Sequence, residues 1–163
     1  MKKSIILIGV LLISFVFMAS ASAKYSQTLS DNPCQGGIHN PVLQFAQLQK
    51  PGGDGTLTVS AIGDYNSQSE WIEVIIEGTS LGQWIPGEQC SLGLLTKTYT
   101  VTRNQLLQWS ADGKIEVTLV QGPNVNCLSC PNGEINTVTL EYPTTGSLPM
   151  QQFMKILGLG KKK

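Results

Sequence analysis

The sequence predicts an all-β protein: an antiparallel β-sandwich of jelly-roll or immunoglobulin-like type, with one short helix between strands and a short amphipathic helix at the C-terminus. Three observations carry this. Apolar and polar residues alternate with period two in several stretches. Gly-rich breaks separate those stretches at short intervals. Helical periodicity between them is scarce, which favours antiparallel over parallel strands. The 163 residues, 41% hydrophobic and 13% charged, fit one domain with its own core.

Residues 1–23 read as a secretory signal peptide. Lys2 and Lys3 supply the basic start, Ile5 to Met18 the apolar stretch, and Ala21-Ser22-Ala23 the small-residue cleavage site. The apolar run falls short of the ~20 residues that span a bilayer, so no transmembrane segment is expected after cleavage. The protein is expected to be secreted, either extracellular or at the cell surface, with the periplasm as the alternative. Residues 24–146 then form the secreted β-sandwich domain.

Within that domain Leu57, Val59 and Ala61 alternate with Thr56, Thr58 and Ser60. Ile72, Val74 and Ile76 alternate with Glu73, Ile75 and Glu77. Ile115, Val117 and Leu119 face away from Glu116 and Thr118, and Val138, Leu140 and Tyr142 from Thr137, Thr139 and Glu141. Each pattern predicts a strand with one face to a core and one to water. Tyr99-Thr100-Val101 predicts a shorter strand and Val42 to Ala46 a weaker one. Between them Thr102-Arg103-Asn104-Gln105 matches a capping box, with Leu106, Leu107 and Trp109 on the buried side and Gly113 just beyond. This predicts one or two helical turns bridging two strands across an end of the sandwich. Residues 147–163 complete the chain as an amphipathic helix with a basic tail: Met150, Phe153, Met154 and Leu157 share a face, and Lys161 to Lys163 follow.

Charge is unevenly spread. The whole chain has 11 basic and 11 acidic residues, yet 31–141 holds every acid with only Lys50, Lys97, Arg103 and Lys114 against them. An acidic domain without a basic stripe excludes a nucleic-acid partner. The basic tail and its helix remain the place to meet a partner or an anionic surface.

The stretch Gly63-Asp64-Tyr65-Asn66, then Glu70-Trp71, then Val74 to Gly78 and Leu81-Gly82, resembles a β-sandwich module of bacterial secreted and surface proteins. There a GD-x-N turn, a Glu-aromatic pair and a strand ending G-x-x-LG occur in series. Tyr99 to Val101, the short helix, Asp112-Gly113, Ile115 to Leu119 and Val125-Asn126-Cys127 continue the likeness over about residues 54–142. The resemblance implies a sandwich fold and a role in adhesion or as an extracellular accessory domain.

Several constellations invite chemistry. Gly78-Thr79-Ser80-Leu81-Gly82 fits the G-x-S-x-G nucleophile elbow, but Gly and Pro in Gln83-Trp84-Ile85-Pro86-Gly87 forbid the helix that must follow. The only histidine, His39, also precedes the serine, so a hairpin turn is the reading. Glu73 and Glu77 on one strand would stand about 13 Å apart, too far for a glycosidase pair. Cys127-Leu128-Ser129-Cys130 lacks the helix N-terminus of a redox pair. In a secreted chain Cys34, Cys90, Cys127 and Cys130 are expected to form disulfides, with Cys34–Cys90 and Cys127–Cys130 preferred among three pairings. Asp64, Asn66 and Glu70 offer oxygen ligands for a candidate calcium ion, the sole cofactor considered, though a plain structural turn is the preferred reading. Trp84 and Tyr65, beside predicted turns, are candidate ligand contacts.

The function expected from these features is a secreted, non-catalytic binding or adhesion module for an extracellular glycan or protein. The alternatives are a small carbohydrate-active or peptide-processing enzyme on a sandwich, and an accessory subunit that docks through its C-terminal helix.

Overall fold

The computed structural model describes residues 23–32, 40–65, 67–87, 95–125 and 135–145. The predicted C-terminal helix, residues 1–22 of the signal peptide and all four cysteines lie outside them. Eight strands form: β1 (Lys24–Asp31), β2 (Val42–Phe45), β3 (Gly55–Ile62), β4 (Ile72–Ile76), β5 (Thr79–Trp84), β6 (Leu95–Val101), β7 (Ile115–Gln121) and β8 (Ile135–Pro143). One helix, α1 (Arg103–Trp109), separates β6 from β7.

The strands make two four-stranded antiparallel sheets, in the orders β1-β8-β3-β6 and β2-β7-β4-β5. Every connection changes sheet except the β4–β5 hairpin. That order is the jelly roll, two Greek keys folded together, and it decides against the immunoglobulin-like alternative. The β1–β2, β3–β4, β5–β6 and β7–β8 connections leave from one end of the sandwich. The β2–β3, β4–β5 and β6–β7 connections lie at the other.

The alternating patterns explain the layering. Leu57 and Val59 of β3, Val74 and Ile76 of β4, Val117 and Leu119 of β7, and Val138 and Leu140 of β8 are all fully buried between the sheets. Each such side chain contributes about 1.5–3 kcal/mol by leaving water. Helix α1 begins as its sequence dictates. Gln105 N–H donates to Thr102 Oγ1 at 3.3 Å, and Thr102 N–H donates back to Gln105 Oε1 at 2.9 Å. Leu106 and Trp109 turn into the core, so α1 carries the chain from one sheet to the other across an end, as expected.

Two local features differ from the sequence reading. Glu77 is not a strand residue: with Gly78 it makes the β4–β5 turn at φ +47° and +72°. Positive φ at both central residues is the type I′ geometry that matches strand twist. Glu73 and Glu77 therefore do not share a strand face. The segment after this turn is a strand, so Ser80 lies on β5 rather than in a turn; its hydroxyl donates to Glu73 Oε1 at 2.6 Å.

Candidate functional site

The end of the sandwich with the β3–β4 connection carries the residues singled out from sequence. Glu70 is buried and locks its own turn: Ser67 N–H donates to Glu70 Oε2 at 2.7 Å, and Glu70 N–H donates to Ser67 O at 3.1 Å. This is the turn role, with the carboxylate engaged by backbone. Asp64 is also largely buried, at 9% exposure. Asn66 lies outside the described residues, and among the described residues no group of three His, Cys, Asp or Glu side chains is placed to hold a metal.

Tyr65 is not at the surface. It is wholly buried, and its hydroxyl lies 3.0 Å from Gln121 Oε1 and 3.3 Å from Asn136 Oδ1, so the ring belongs to the core under this rim. Trp84 likewise sits on β5 opposite Ile72 and packs, partly buried, against the core. Both candidate ligand contacts thus turn toward the core, Tyr65 wholly and Trp84 in part. Gly122 holds the same rim together. Its N–H donates to Trp71 O at 2.7 Å, and a Cβ there would stand 2.5 Å from Ser69 O.

A concave site lies elsewhere, along the seam where edge strand β1 meets the β2–β3 connection. This open cleft of about 480 Å³ is lined by Lys24, Tyr25, Ser26, Gln27, Ala46, Gln47 and Gln49, within the usual size range of ligand sites. Tyr25 lines it, and Tyr142 backs Tyr25 from the core side. Tyr25 and Tyr142 stack with ring centroids 4.7 Å apart and planes 18° from parallel. Tyr25 Oη donates to Gln27 Oε1 at 2.5 Å, with the Ala46 carbonyl 3.2 Å away. Tyr142 Oη donates to the Gln49 carbonyl at 2.9 Å. Burial, with a smaller contribution from Tyr25, pushes the Tyr142 phenol up to about 12. Gly52 N–H to Pro143 O at 2.7 Å and Thr145 N–H to Lys50 O at 3.0 Å tie the same connection to the end of β8. The cleft walls are thus fixed from both sides.

The lining is polar and almost uncharged. Lys24 is neutralised by Glu141 at 2.8 Å. Hydrogen bonds from Lys24 and Ser26 hold the Glu141 carboxyl below the usual range. Gln47 and Gln49 are exposed, and Gln47 adopts φ +54°, a left-handed conformation that costs a non-glycine residue about 1 kcal/mol or more. The sequence reading missed this site because it placed no strand at 24–31. The signal was present: Tyr25, Gln27 and Leu29 alternate with Ser26, Thr28 and Ser30.

The outer faces of the two sheets contrast sharply. On β1-β8-β3-β6 the register sets hydroxyl residues side by side in ranks. Ser30, Thr137, Ser60 and Thr96 form one rank, and Thr28, Thr139, Thr58 and Thr98 the next. Ser26, Glu141, Thr56 and Thr100 form the third. On β2-β7-β4-β5 the outward positions mix Glu73, Glu116 and Gln44 with Val42, Ile75 and Val120.

No family model matches the chain, and no curated protein matches it. The GD-x-N resemblance is thus matched by no family model, and the structure bears out only the sandwich fold it implies. Among solved structures, the C-terminal CBM6 of LamC, a marine laminarinase from Zobellia galactanivorans, is similar at 14% identity and TM-score 0.34, over 72% of this chain and 90% of that one. Neither fold nor function is drawn from that likeness. Among the described residues no helix is long and apolar enough to cross a membrane.

Proposed function

We propose that this protein is a secreted, non-catalytic binding module that holds an extracellular glycan in the β1 cleft. The observation that supports this reading is the lining itself: Gln27, Gln47 and Gln49 border a hollow whose one lysine, Lys24, is paired with Glu141. Primary amides offer two donors and an acceptor each, the set that a hydroxyl-rich ligand satisfies. A peptide or acidic ligand would call for apolar pockets or clustered cations instead. Because the walls are tied by Tyr25 and Tyr142, little ordering entropy is lost on binding.

A glycan array probed with the full chain, then with Gln27→Ala/Gln49→Ala, tests the reading. Wild type retains a defined set of glycans, and the double variant weakens them about 10-fold to 100-fold, the effect of two hydrogen bonds at ~1 kcal/mol each. Equal retention by both proteins, or turnover of a glycan that survives repurification, contradicts it. Secretion with paired cysteines belongs to the same proposal; peptide mapping without reductant tests Cys34–Cys90 and Cys127–Cys130.

A further inference from the structure

Of the hydroxyl ranks on the outer face of β1-β8-β3-β6, Ser26 alone also borders the cleft. Eleven of their twelve positions are Ser or Thr, as the register gives them, and the twelfth, Glu141, lies in an end rank on β8, where it is paired with Lys24. β-propensity alone does not explain this, because the opposite sheet of the same molecule carries glutamates and aliphatic residues at equivalent outward positions.

The hydroxyls are also held in place. Thr28 Oγ1 and Thr139 Oγ1 are 2.9 Å apart, Thr58 and Thr98 3.1 Å, and Ser30 and Thr137 3.2 Å. Ser26 Oγ donates to Glu141 at 2.8 Å. Threonine is stiff at χ1, and the cross-strand bonds restrain it further. Each hydroxyl has one donor and two acceptor sites, so a cross-strand pair keeps bonding capacity directed to solvent. Sheet geometry sets the repeat: neighbours about 4.8 Å apart across strands and about 6.7 Å along them. Water bound to such an array inherits a two-dimensional lattice of that scale, comparable to the oxygen repeats on the prism faces of ice. Charged side chains would orient hydration water radially and break such order; here the single charge is paired with Lys24 and confined to an end rank.

We propose that this face adsorbs to an ordered water lattice, with ice as its solid ligand. A flat polysaccharide crystal fits less well, because sugar planes are met by aromatic rings and none stands in these ranks. Sheet twist of roughly 20–25° per strand confines the best match to the two central strands, β8 and β3, so Thr139 and Thr58 matter most and the corner residues least.

Partition of the full chain into slowly growing ice, with ice-recrystallisation inhibition as a second readout, tests this. Wild type is enriched in the ice fraction. Thr139→Lys and Thr58→Lys each reduce enrichment severalfold at unchanged melting temperature, and Thr139→Val, which retains shape and strand preference, reduces it as well. Thr118→Lys on the other sheet and Gln27→Ala/Gln49→Ala leave it unchanged, which separates this face from the glycan cleft. Rejection of wild type by ice overturns the proposal. So does binding to microcrystalline cellulose or chitin that the same threonine variants abolish while ice retention is absent.

Discussion

Replacing Tyr142 with Phe tests the coupling between the sheet core and the cleft. The ring and its stack on Tyr25 survive the change; the hydrogen bond to the Gln49 carbonyl does not. At neutral pH the variant should lose about 1 kcal/mol, since the carbonyl of an exposed residue can turn to water. For a domain of this size that lowers the melting temperature by about 3–6 °C. The alkaline side gives the sharper contrast. The Tyr142 phenol is raised to about 12 in the fold, against ~10 in the unfolded chain. A raised acid favours the protonated folded state, so its contribution is complete below pH ~10 and is lost as pH rises through about 12. Two units correspond to about 3 kcal/mol. Tyr142→Phe has no such phenol, so the two stability curves should converge above pH ~10, cross between roughly 10 and 11 once the wild type has lost its ~1 kcal/mol advantage, and leave the variant the more stable near 12. Denaturant melts across the range, with ultraviolet difference spectra to follow tyrosinate, measure this. Parallel curves, or a Tyr142 that ionises like a free phenol, would refute the claim that this hydroxyl is sealed under the cleft.

Other outcomes follow from single residues. Gly122→Ala places a methyl 2.5 Å from Ser69 O and 2.8 Å from Trp71 N, both backbone; a loss of about 3 kcal/mol is expected in denaturant melts. Gln47→Gly should be more stable than Gln47→Ala by about 1 kcal/mol, because only glycine adopts φ +54° freely, while both variants lose glycan affinity. Glu141, held low by Lys24 and Ser26, contributes stability that is present above the ordinary glutamate pKa of ~4.3 and lost as pH falls through its folded value. Glu141→Gln should flatten that acid limb by less than about 1 kcal/mol, as fits an exposed pair. Calcium should leave the melting temperature unchanged, since Glu70 is occupied by the Ser67 amide; a rise that Asp64→Ala removes would reinstate the metal site.

The legible parts of the fold are those where alternation is strict. β3, β4, β7 and β8 put branched aliphatics at every second position, and α1 announces itself through Thr102 and Gln105. β1 escaped because Gln27 occupies an inward slot and only Tyr25 and Leu29 mark the apolar side. β5 escaped because Gly82, at φ +94° beside a register shift, reads as a break. β6 extends back to Leu95 through Thr96, Lys97 and Thr98, whose polarity hides a strand. Tyr65 and Trp84 stand beside turns, where ligand contacts gather; in the fold both turn toward the core. The cleft joins residues 24–27 to 46–49, a meeting that only the jelly-roll strand order creates. Each T-x-T run was visible, but their alignment into ranks is a property of register.

The central claim is best tested by amide NMR of the full chain titrated with the glycans it retains. Shifts should concentrate on the backbone and side-chain amides of Gln27, Gln47 and Gln49 and on Tyr25, with β4 and β5 unmoved. Saturating shifts at the β3–β4 rim or on the outer face of β2-β7-β4-β5, with the β1 cleft silent, would contradict it.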